Sequence, residues 1–491
     1  MGDVRLFLVS KFSVIGRVSD LLPRIVAGVF FVAVAGGNVE ALSLKEAIGT
    51  ALRTNPEIGR AIENREAVEF ELKQALGLYL PRVDLEASTG TQGLDSPARR
   101  AAGINDDPLY PSQAEVVVTY NILDGGFRKS EANRQAARID SASFRVLERS
   151  ELIGLEVARL YFEILLQARI VEMSRRNRAF HRKTVGDVKS AISSGQLTDA
   201  DRQQAVERLA AANASVIEAQ QALDVAKIGF RKNVGLNFTK ASLPRRVGRK
   251  LPKSQGRAIE IALSNNPRVR AAGADLSAAA ALVEQAKGAR GLKLLLEGRA
   301  SVGDDINSIE GYSTNLQGKL ILRWNLFDGS IKNSKVQENI RRESEAVYAQ
   351  QKAGRDVREA VSTSWSRITR QNALASQLGQ QLRASNGLVS SYQSQFTVGQ
   401  RSLLDVLDAQ NTRFNVQVLS KTAEYSSRFA EYRLMAATGS LLGYLNLSAP
   451  RQADAYGRDM LGTPLEEDTP IRNRKPVNFS APIDLTDFVN W

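Results

Sequence analysis

Long stretches of the chain repeat an apolar residue at alternating steps of three and four. A strict repeat of seven residues is typical of helices that pair in a left-handed supercoil, and alanine at half of the positions permits close approach. A weaker stripe follows residue 411, so a second helical pairing is predicted there. Such stripes more often pack helices together than bind a ligand, and we interpret them in that way. The residues of the first stripe are Ala205, Leu209, Ala212, Val216, Ala219, Leu223, Ala226 and Phe230, and those of the second are Val416, Leu419, Ala423 and Ala430.

Four shorter stretches alternate apolar and polar residues, a period of two that predicts β-strands with one face of each kind. Alternation alone also fits a half-buried strand of a soluble sheet. Strand lengths near ten residues, the aromatic residues Tyr120 and Trp324, and charge on the polar face favour strands of a membrane barrel instead. The four stretches are Val83–Gly90, Glu115–Leu123, Leu294–Val302 and Lys319–Leu326.

Four strands cannot close a barrel by themselves. An open sheet edge in lipid would leave backbone groups unpaired, at several kcal/mol each. Closure must therefore come from several copies of the chain. The stretches Thr91–Gln113 and Gly303–Asn315 join the strand pairs, and their Gly, Asp, Asn and Ser residues are typical of exposed loops.

The chain is also organised as two similar halves. Each half opens with a short helical segment that ends in Asn-Pro, and each second strand ends in a turn containing Asp-Gly. A helical run of more than 60 residues follows in both halves, from Arg128 toward Ser193 and from Ile331 toward Phe396; each would reach roughly 100 Å at 1.5 Å per residue. We therefore predict a first repeat at 42–240, a linker at 241–256 and a second repeat at 257–447.

The two ends of the chain lie outside these repeats. Arg17 and Arg24, the apolar run Ile25–Ala35 and the sequence Val39–Ala41 have the three parts of a secretory signal peptide, so residues 1–41 are predicted to be one, with cleavage after Ala41. The alternative is a membrane anchor, but the apolar run is shorter than the ~20 residues that a spanning helix needs. Residues 448–491 carry several prolines and mixed charge, and we expect them to be disordered or draped on the helices.

Composition excludes several classes of function. The chain has no cysteine and one histidine, His181, so disulfides, thiolate nucleophiles, histidine triads and multi-histidine metal sites are excluded. His181 stands among Arg178, Arg182 and Lys183, and we expect it to be a solvated surface residue. The net charge of +13 does not indicate nucleic acid, because the 66 basic and 53 acidic residues are interleaved and the densest basic cluster, Arg245–Lys253, lies in the linker. No catalytic constellation is present, and we predict neither enzyme, metal nor cofactor.

With these features the chain resembles the TolC-like outer-membrane channel proteins of Gram-negative bacteria over about residues 42–447. The resemblance rests on the repeat openings, on the strand pairs that end in Asn-x-x-Asp-Gly, and above all on Val398–Ala409, VGQRSLLDVLDA. It implies a mixed fold of helices and strands in which a homotrimer with four strands per chain forms one 12-stranded transmembrane β-barrel. The barrel would continue into a long coiled-coil α-helical barrel across the periplasm.

The resemblance also implies partners and a function. The trimer would sit in outer-membrane lipid and act as the exit duct of an efflux or type I secretion system, with a periplasmic adaptor and an inner-membrane ABC or proton-driven pump. Both systems use such a duct, so the residues leave the cargo open. The alternative is a periplasmic adaptor, but the chain predicts two hairpins and four strands where an adaptor would have one hairpin and lipoyl-like modules.

The two predicted hairpin tips carry the candidate functional residues. Asp405 and Asp408 lie three residues apart and share a helix face, so threefold repetition would make rings of carboxylates that favour cations; the alternative is an acidic helix start that stabilises the helix dipole. The resemblance implies that Arg401 ties the closed mouth shut, with Asp201 as its acid. Phe396 stands where the family has a tyrosine, and Ala200 where it has a threonine. The adaptor would contact the tips at Gly195, Leu197, Val398 and Gly399.

Overall fold

The structure is a computed structural model that describes residues 42–239, 241–306 and 311–462. The predicted signal peptide lies outside the described residues. Helices dominate, and the two halves of the chain contain elements of matching length. In chain order the elements are α1 (Leu44–Thr54), α2 (Pro56–Gly77), β1 (Arg82–Thr89), α3 (Pro97–Ala102), β2 (Ser112–Leu123), α4 (Phe127–Ser193), α5 (Asp199–Val234), α6 (Gln255–Asn265), α7 (Pro267–Gly288), β3 (Lys293–Asp304), β4 (Tyr312–Arg323), α8 (Ile331–Thr397), α9 (Leu403–Ala437) and α10 (Leu441–Tyr444).

The four strands form one antiparallel sheet in the order β1-β2-β3-β4. Val83 pairs with Val118, Tyr120 with Leu296 and Leu294 with Leu322. Because side chains alternate along a strand, this register places the alternating apolar residues of all four strands on one face, as their sequence pattern predicts. A bulge between positions 121 and 123 shifts the register where β2 ends.

The described residues of the first connection between paired strands are mostly exposed, as composition predicts, but the two connections differ from plain loops in structure and length. The first contains the helix α3, whose buried Arg99 donates hydrogen bonds to the carbonyl oxygens of Ile104 and Asp107, both at 2.7 Å. The second is shorter than predicted, because β3 continues to Asp304 and β4 begins at Tyr312. The residue types of a loop do not show which side chains will bond to the loop's own backbone, as Arg99 does here.

Two helices of 67 residues each, α4 and α8, extend from the same end of the sheet. Each is about 100 Å long at 1.5 Å per residue. At the junction the backbones of Gly125 and Gly288 cross so closely that a Cβ on Gly125 would lie 2.1 Å from the carbonyl oxygen of Gly288. There is therefore no room for a side chain at Gly125 or Gly288, where the sheet meets the helices. Among the described residues, no helix is both long and apolar enough to cross a membrane.

The predicted heptad stripe packs α5 against α4. Ala205, Ala212, Ala219, Leu223 and Phe230 are buried, whereas the opposite face of α5 is exposed. The largest buried cluster joins this stripe to α1 and to the middle of α4. There the hydroxyl of Tyr161 lies within hydrogen-bond distance of the carbonyl oxygens of Leu42 and Ser242, at 2.7 and 2.9 Å, and shares its one hydrogen between them. A buried hydroxyl needs such partners, so these contacts hold the start of the first half close to the start of the linker.

The segment between the halves is anchored to α9. The carboxylate of Glu431, only 4% exposed, accepts bonds from the backbone amide of Val247 at 2.7 Å and from the guanidinium of Arg246 at 2.9 Å. The Tyr432 hydroxyl donates to the carbonyl oxygen of Arg245 at 2.7 Å. Part of the densest basic cluster, Arg245–Lys253, is thus bonded to residues of α9 in the same chain.

The described part of the tail packs on α2 and α4. The Gly457 amide donates to a carboxylate oxygen of Asp140 at 2.8 Å. The guanidinium of Arg65, 1% exposed, lies 4.5 Å from the ring centre of Tyr456. Residues 448–462 are therefore draped along the helices, and residues 463–491 lie outside the described part of the chain.

Candidate gate at the helix tips

Both helical hairpins end in a turn of the same geometry. Gly195 and Gly399 have φ angles of +73° and +74°, in the left-handed region that residues with a Cβ rarely adopt. The amide of Gly195 donates to the carbonyl oxygen of Ile192 at 2.9 Å, and that of Gly399 donates to the carbonyl oxygen of Phe396 at 3.0 Å. Glycine at these two positions lets each long helix stop and reverse within a few residues.

A capping box, with Thr198 or Ser402 at the cap and an aspartate three residues later, starts the returning helix in each hairpin. Asp201 bonds to the amide and hydroxyl of Thr198, at 2.9 and 2.7 Å, and Asp405 bonds to Ser402 in the same way, at 3.3 and 2.8 Å. The hydroxyl of Thr198 holds the pKa of Asp201 below its ordinary value. Both carboxylates thus stabilise helix starts, which was the alternative interpretation of Asp405.

A small apolar cluster joins the two tips. Val188, Ala205, Leu403 and Leu407 are buried in it, and Leu197 and Phe396 pack against them. Phe396 therefore contributes apolar contact between the hairpins. Of the other predicted adaptor-contact residues, Val398 is 67% exposed, and Gly195 and Gly399 are exposed as well.

Arg401 has a set of contacts on its own hairpin. Its Nε donates to Oε1 of Gln395 at 3.0 Å, its guanidinium lies 4.4 Å from the ring centre of Tyr392, and its Nη1 lies 3.9 Å from Asp405. Within the described chain the carboxylate of Asp201 bonds to Thr198 and not to Arg401. The sequence did not point to Tyr392, which lies one helical turn before Phe396 and offers Arg401 an aromatic face.

Asp408 has a cationic partner from the other hairpin. Nη2 of Arg208, on α5, lies 3.1 Å from Oδ1 of Asp408, on α9. Nearby, the side-chain amide of Gln410 donates to Asn177 at 2.6 Å, and both side chains are buried. Sequence reasoning missed both links because each joins residues about two hundred positions apart. The two hairpins are thus held together by polar contacts as well as by the apolar cluster.

The prediction for His181 was wrong. Its side chain is 3% exposed, and its ring lies edge-on to Phe180 with 5.3 Å between the ring centres. Burial lowers its pKa, and the nearby charge of Arg208 lowers it further. Arg182 and Lys183 are exposed on other faces because a helix turns by about 100° per residue.

The comparisons with known proteins agree with this architecture. The family model described as outer membrane efflux protein matches residues 47–236 and 258–440, which run from α1 through α5 and from α6 to the end of α9. The chain belongs to the outer membrane efflux protein family. Members of this family are outer membrane channels, so the chain is an outer membrane protein.

Individual relatives of this efflux family are distant in sequence. The outer membrane efflux protein BepC of Brucella suis is 24% identical over 290 residues, which are 57% of this chain and 62% of BepC. The outer membrane protein TolC of Escherichia coli is 23% identical over 420 residues, 82% of this chain and 83% of TolC.

Solved structures share the fold of this family member. A membrane protein from Pseudomonas aeruginosa matches with a TM-score of 0.72 and 18% identity, over 81% of this chain and 90% of that one. The open state of the Neisseria gonorrhoeae MtrE channel matches with a TM-score of 0.69 and 17% identity, over 81% and 89%.

Proposed function

We propose that three copies of this chain form one 12-stranded barrel in the outer membrane, continuous with a helical tunnel, and serve as the exit duct of an efflux or type I secretion system. The observation that carries the proposal is the four-stranded sheet with one apolar face and with β1 and β4 at its edges. In lipid those edges need partners, and the β4 edge of one copy and the β1 edge of the next can supply them. The two family matches support a duplicated chain, with repeats as the sequence predicts.

The helical hairpins provide the rest of the duct. The two 67-residue helices lead away from the sheet, and three copies would bring six tips to the far end. A periplasmic adaptor would contact the exposed tip residues Gly195, Val398 and Gly399, with Leu197 supporting them from the apolar cluster. The adaptor would couple the duct to an inner-membrane pump.

The proposed assembly is tested by fractionation of cell membranes and by the mass of the purified oligomer. The full chain should be recovered from the outer membrane as a detergent-resistant trimer, and the purified trimer should conduct ions in a planar bilayer. A monomer recovered from the periplasm would contradict the proposal.

The gate is proposed at the tips. Arg401 lies between Tyr392, Gln395 and Asp405 and would reach an acid of the neighbouring copy, such as Asp201, when the mouth is closed. Asp405 and Asp408 would line the mouth with carboxylates that favour cations.

Replacing Arg401 by serine tests this gate. We expect Arg401→Ser to raise the single-channel conductance, because the charge-assisted bonds that hold the mouth would be lost. The matched control is Arg202→Ser at the other tip, where the arginine is paired locally with Asp199 at 2.7 Å. Equal conductance in the wild type and the Arg401 variant would remove Arg401 from the gate.

A further inference from the structure

Two cations face each other at the helical end of the sheet. Lys293, at the start of β3, and Arg323, at the end of β4, are direct partners in the strand register, and both are exposed. Their neighbours Leu294 and Leu322 pair on the apolar face, so Lys293 and Arg323 lie on the opposite, polar face. Like charges directly opposite each other destabilise a sheet, so this pair lowers the stability of the strand pairing instead of raising it.

Two arginines elsewhere on the polar face have carboxylate partners. Arg82 lies 2.7 Å from Asp84, and Arg299 lies 2.8 Å from Glu115 and 3.3 Å from Glu297. By contrast, neither Lys293 nor Arg323 is within 4.0 Å of a carboxylate in the part of the chain that the structure describes. Their charges are thus available to a ligand.

The charge on this face also changes along the strands. Glu86 and Glu115 are direct partners toward the loop end, whereas Lys293 and Arg323 are partners at the helical end. If the barrel closes as proposed, the polar face lines its lumen. Three copies with two such cations each would then place six cations around the passage from barrel to helical tunnel.

We propose that Lys293 and Arg323 form an anion-binding collar in the lumen, which holds the phosphate or carboxylate groups of solutes that pass through the duct. This inference rests on the proposed function. Rings of arginine and lysine select anions and phosphates in other pores, and guanidinium binds phosphate oxygens in a bidentate manner. The duct would therefore favour cations at the tips, where Asp405 and Asp408 lie, and anions at the barrel junction.

The collar is tested by channel block with inorganic tripolyphosphate. The purified full-chain trimer is inserted in a planar bilayer of uncharged lipid, and tripolyphosphate is added on the side of the strand loops, so that the barrel is reached without passing the tips. We expect concentration-dependent block of the wild type. The double variant Lys293→Gln with Arg323→Gln should need about tenfold more blocker, equivalent to about 1.4 kcal/mol.

Two controls separate the collar from charge in general. Lys319→Gln removes a cation on the same face that pairs in register with Glu297, and its block should resemble that of the wild type. The charge-retaining exchange Lys293→Arg with Arg323→Lys should keep the block. Equal block in the wild type and the double Gln variant, or no block of the wild type, would overturn the collar.

The same design distinguishes the collar from lipid binding and from failure of the duct. If the cations instead hold lipid phosphate, block by tripolyphosphate will be absent, and a change to anionic lipid will alter the wild type but not the double variant; this outcome overturns the luminal collar. If the double variant does not insert, Arg323→Gln alone is compared with the wild type. Weaker block in this variant supports the collar, and equal block overturns it. If the wild type forms no channel, the proposed function fails. Calorimetric titration of tripolyphosphate into the detergent-solubilised chain then still tests the site. Loss of binding in the double variant supports the site, and equal heats in the two proteins overturn it.

Discussion

Glu151 lies in the middle of α4 and provides a quantitative test of the described packing. Its carboxylate is 5% exposed and accepts hydrogen bonds from the backbone amides of Leu441 and Leu442, at 3.2 and 3.3 Å. Burial raises the pKa of Glu151 from its ordinary value of 4.5 to about 7, although the two amide bonds act in the opposite direction. Between pH 4.5 and about pH 7, Glu151 is therefore mostly protonated in the folded chain and mostly ionised in the unfolded chain.

The sign of the effect on stability follows from this difference. Stability falls with rising pH wherever the folded state binds more protons than the unfolded state. Each pKa unit is worth about 1.4 kcal/mol, so ionised Glu151 costs the folded chain at most about 3 kcal/mol above pH 7. Glutamine is neutral at every pH and does not have this cost. Between pH 5 and pH 8, Glu151→Gln should therefore gain about 2 to 3 kcal/mol relative to the wild type.

The assay is urea unfolding of the detergent-solubilised protein, followed by circular dichroism at one protein concentration. Subtracting the wild type from the variant at each pH removes other titrating groups, including His181. Glu148→Gln, one turn earlier on α4 and half-buried, is the matched control and should show a much smaller change. A difference between Glu151→Gln and the wild type that is the same at pH 5 and pH 8 would refute the reasoning from burial.

Two further predictions concern the faces of the sheet and the tips. Val118→Arg, on the apolar face of β2, should cost ~2 to 4 kcal/mol near the bilayer midplane, whereas Ser88→Arg on the polar face should assemble; equal yields of trimer would contradict the assignment of the faces. Arg208→Gln should free the carboxylate of Asp408 from its partner at 3.1 Å, and cation block measured in planar bilayers should become stronger. Unchanged block would show that Asp408 does not face the conducting path.

The sequence predicts those parts of this fold that depend on local physics. The tip turns could be located because Gly195 and Gly399 take a left-handed conformation that favours glycine. The strand faces could be assigned because alternation along a strand maps directly onto the pairing of residues such as Val83 and Val118. Periodicity likewise identified the buried stripe of α5, since a heptad pattern depends on one helix and its direct neighbour.

The remaining features depend on contacts between distant parts of the chain. His181 was expected to be solvated because its sequence neighbours are basic, yet it is buried. Two contacts depend on how the hairpin tips fold and pack. These are the ion pair of Arg208 with Asp408 and the contact of Arg401 with the ring of Tyr392. The buried carboxylate of Glu151 meets amides that lie nearly three hundred residues later. No pattern within a single segment shows such pairings.

Cross-linking between the sheet edges tests the trimeric barrel most directly. The chain has no cysteine, so the introduced residues supply its only thiols. Leu85 lies on β1 and Leu320 on β4. These two strands are three strand spacings, or roughly 14 Å, apart within one sheet, so the two residues are at least that far apart. That separation exceeds the ~7 Å between Cα atoms that a disulfide can span.

The measurement is oxidation of outer membranes that contain Leu85→Cys combined with cysteine at Leu316, Leu320 or Leu322, followed by a non-reducing gel. If copies close the barrel edge to edge, at least one combination gives a ladder that ends at the covalent trimer, and Leu85→Cys alone gives none. If every combination remains monomeric, or if the products end at a dimer, the trimeric duct is contradicted.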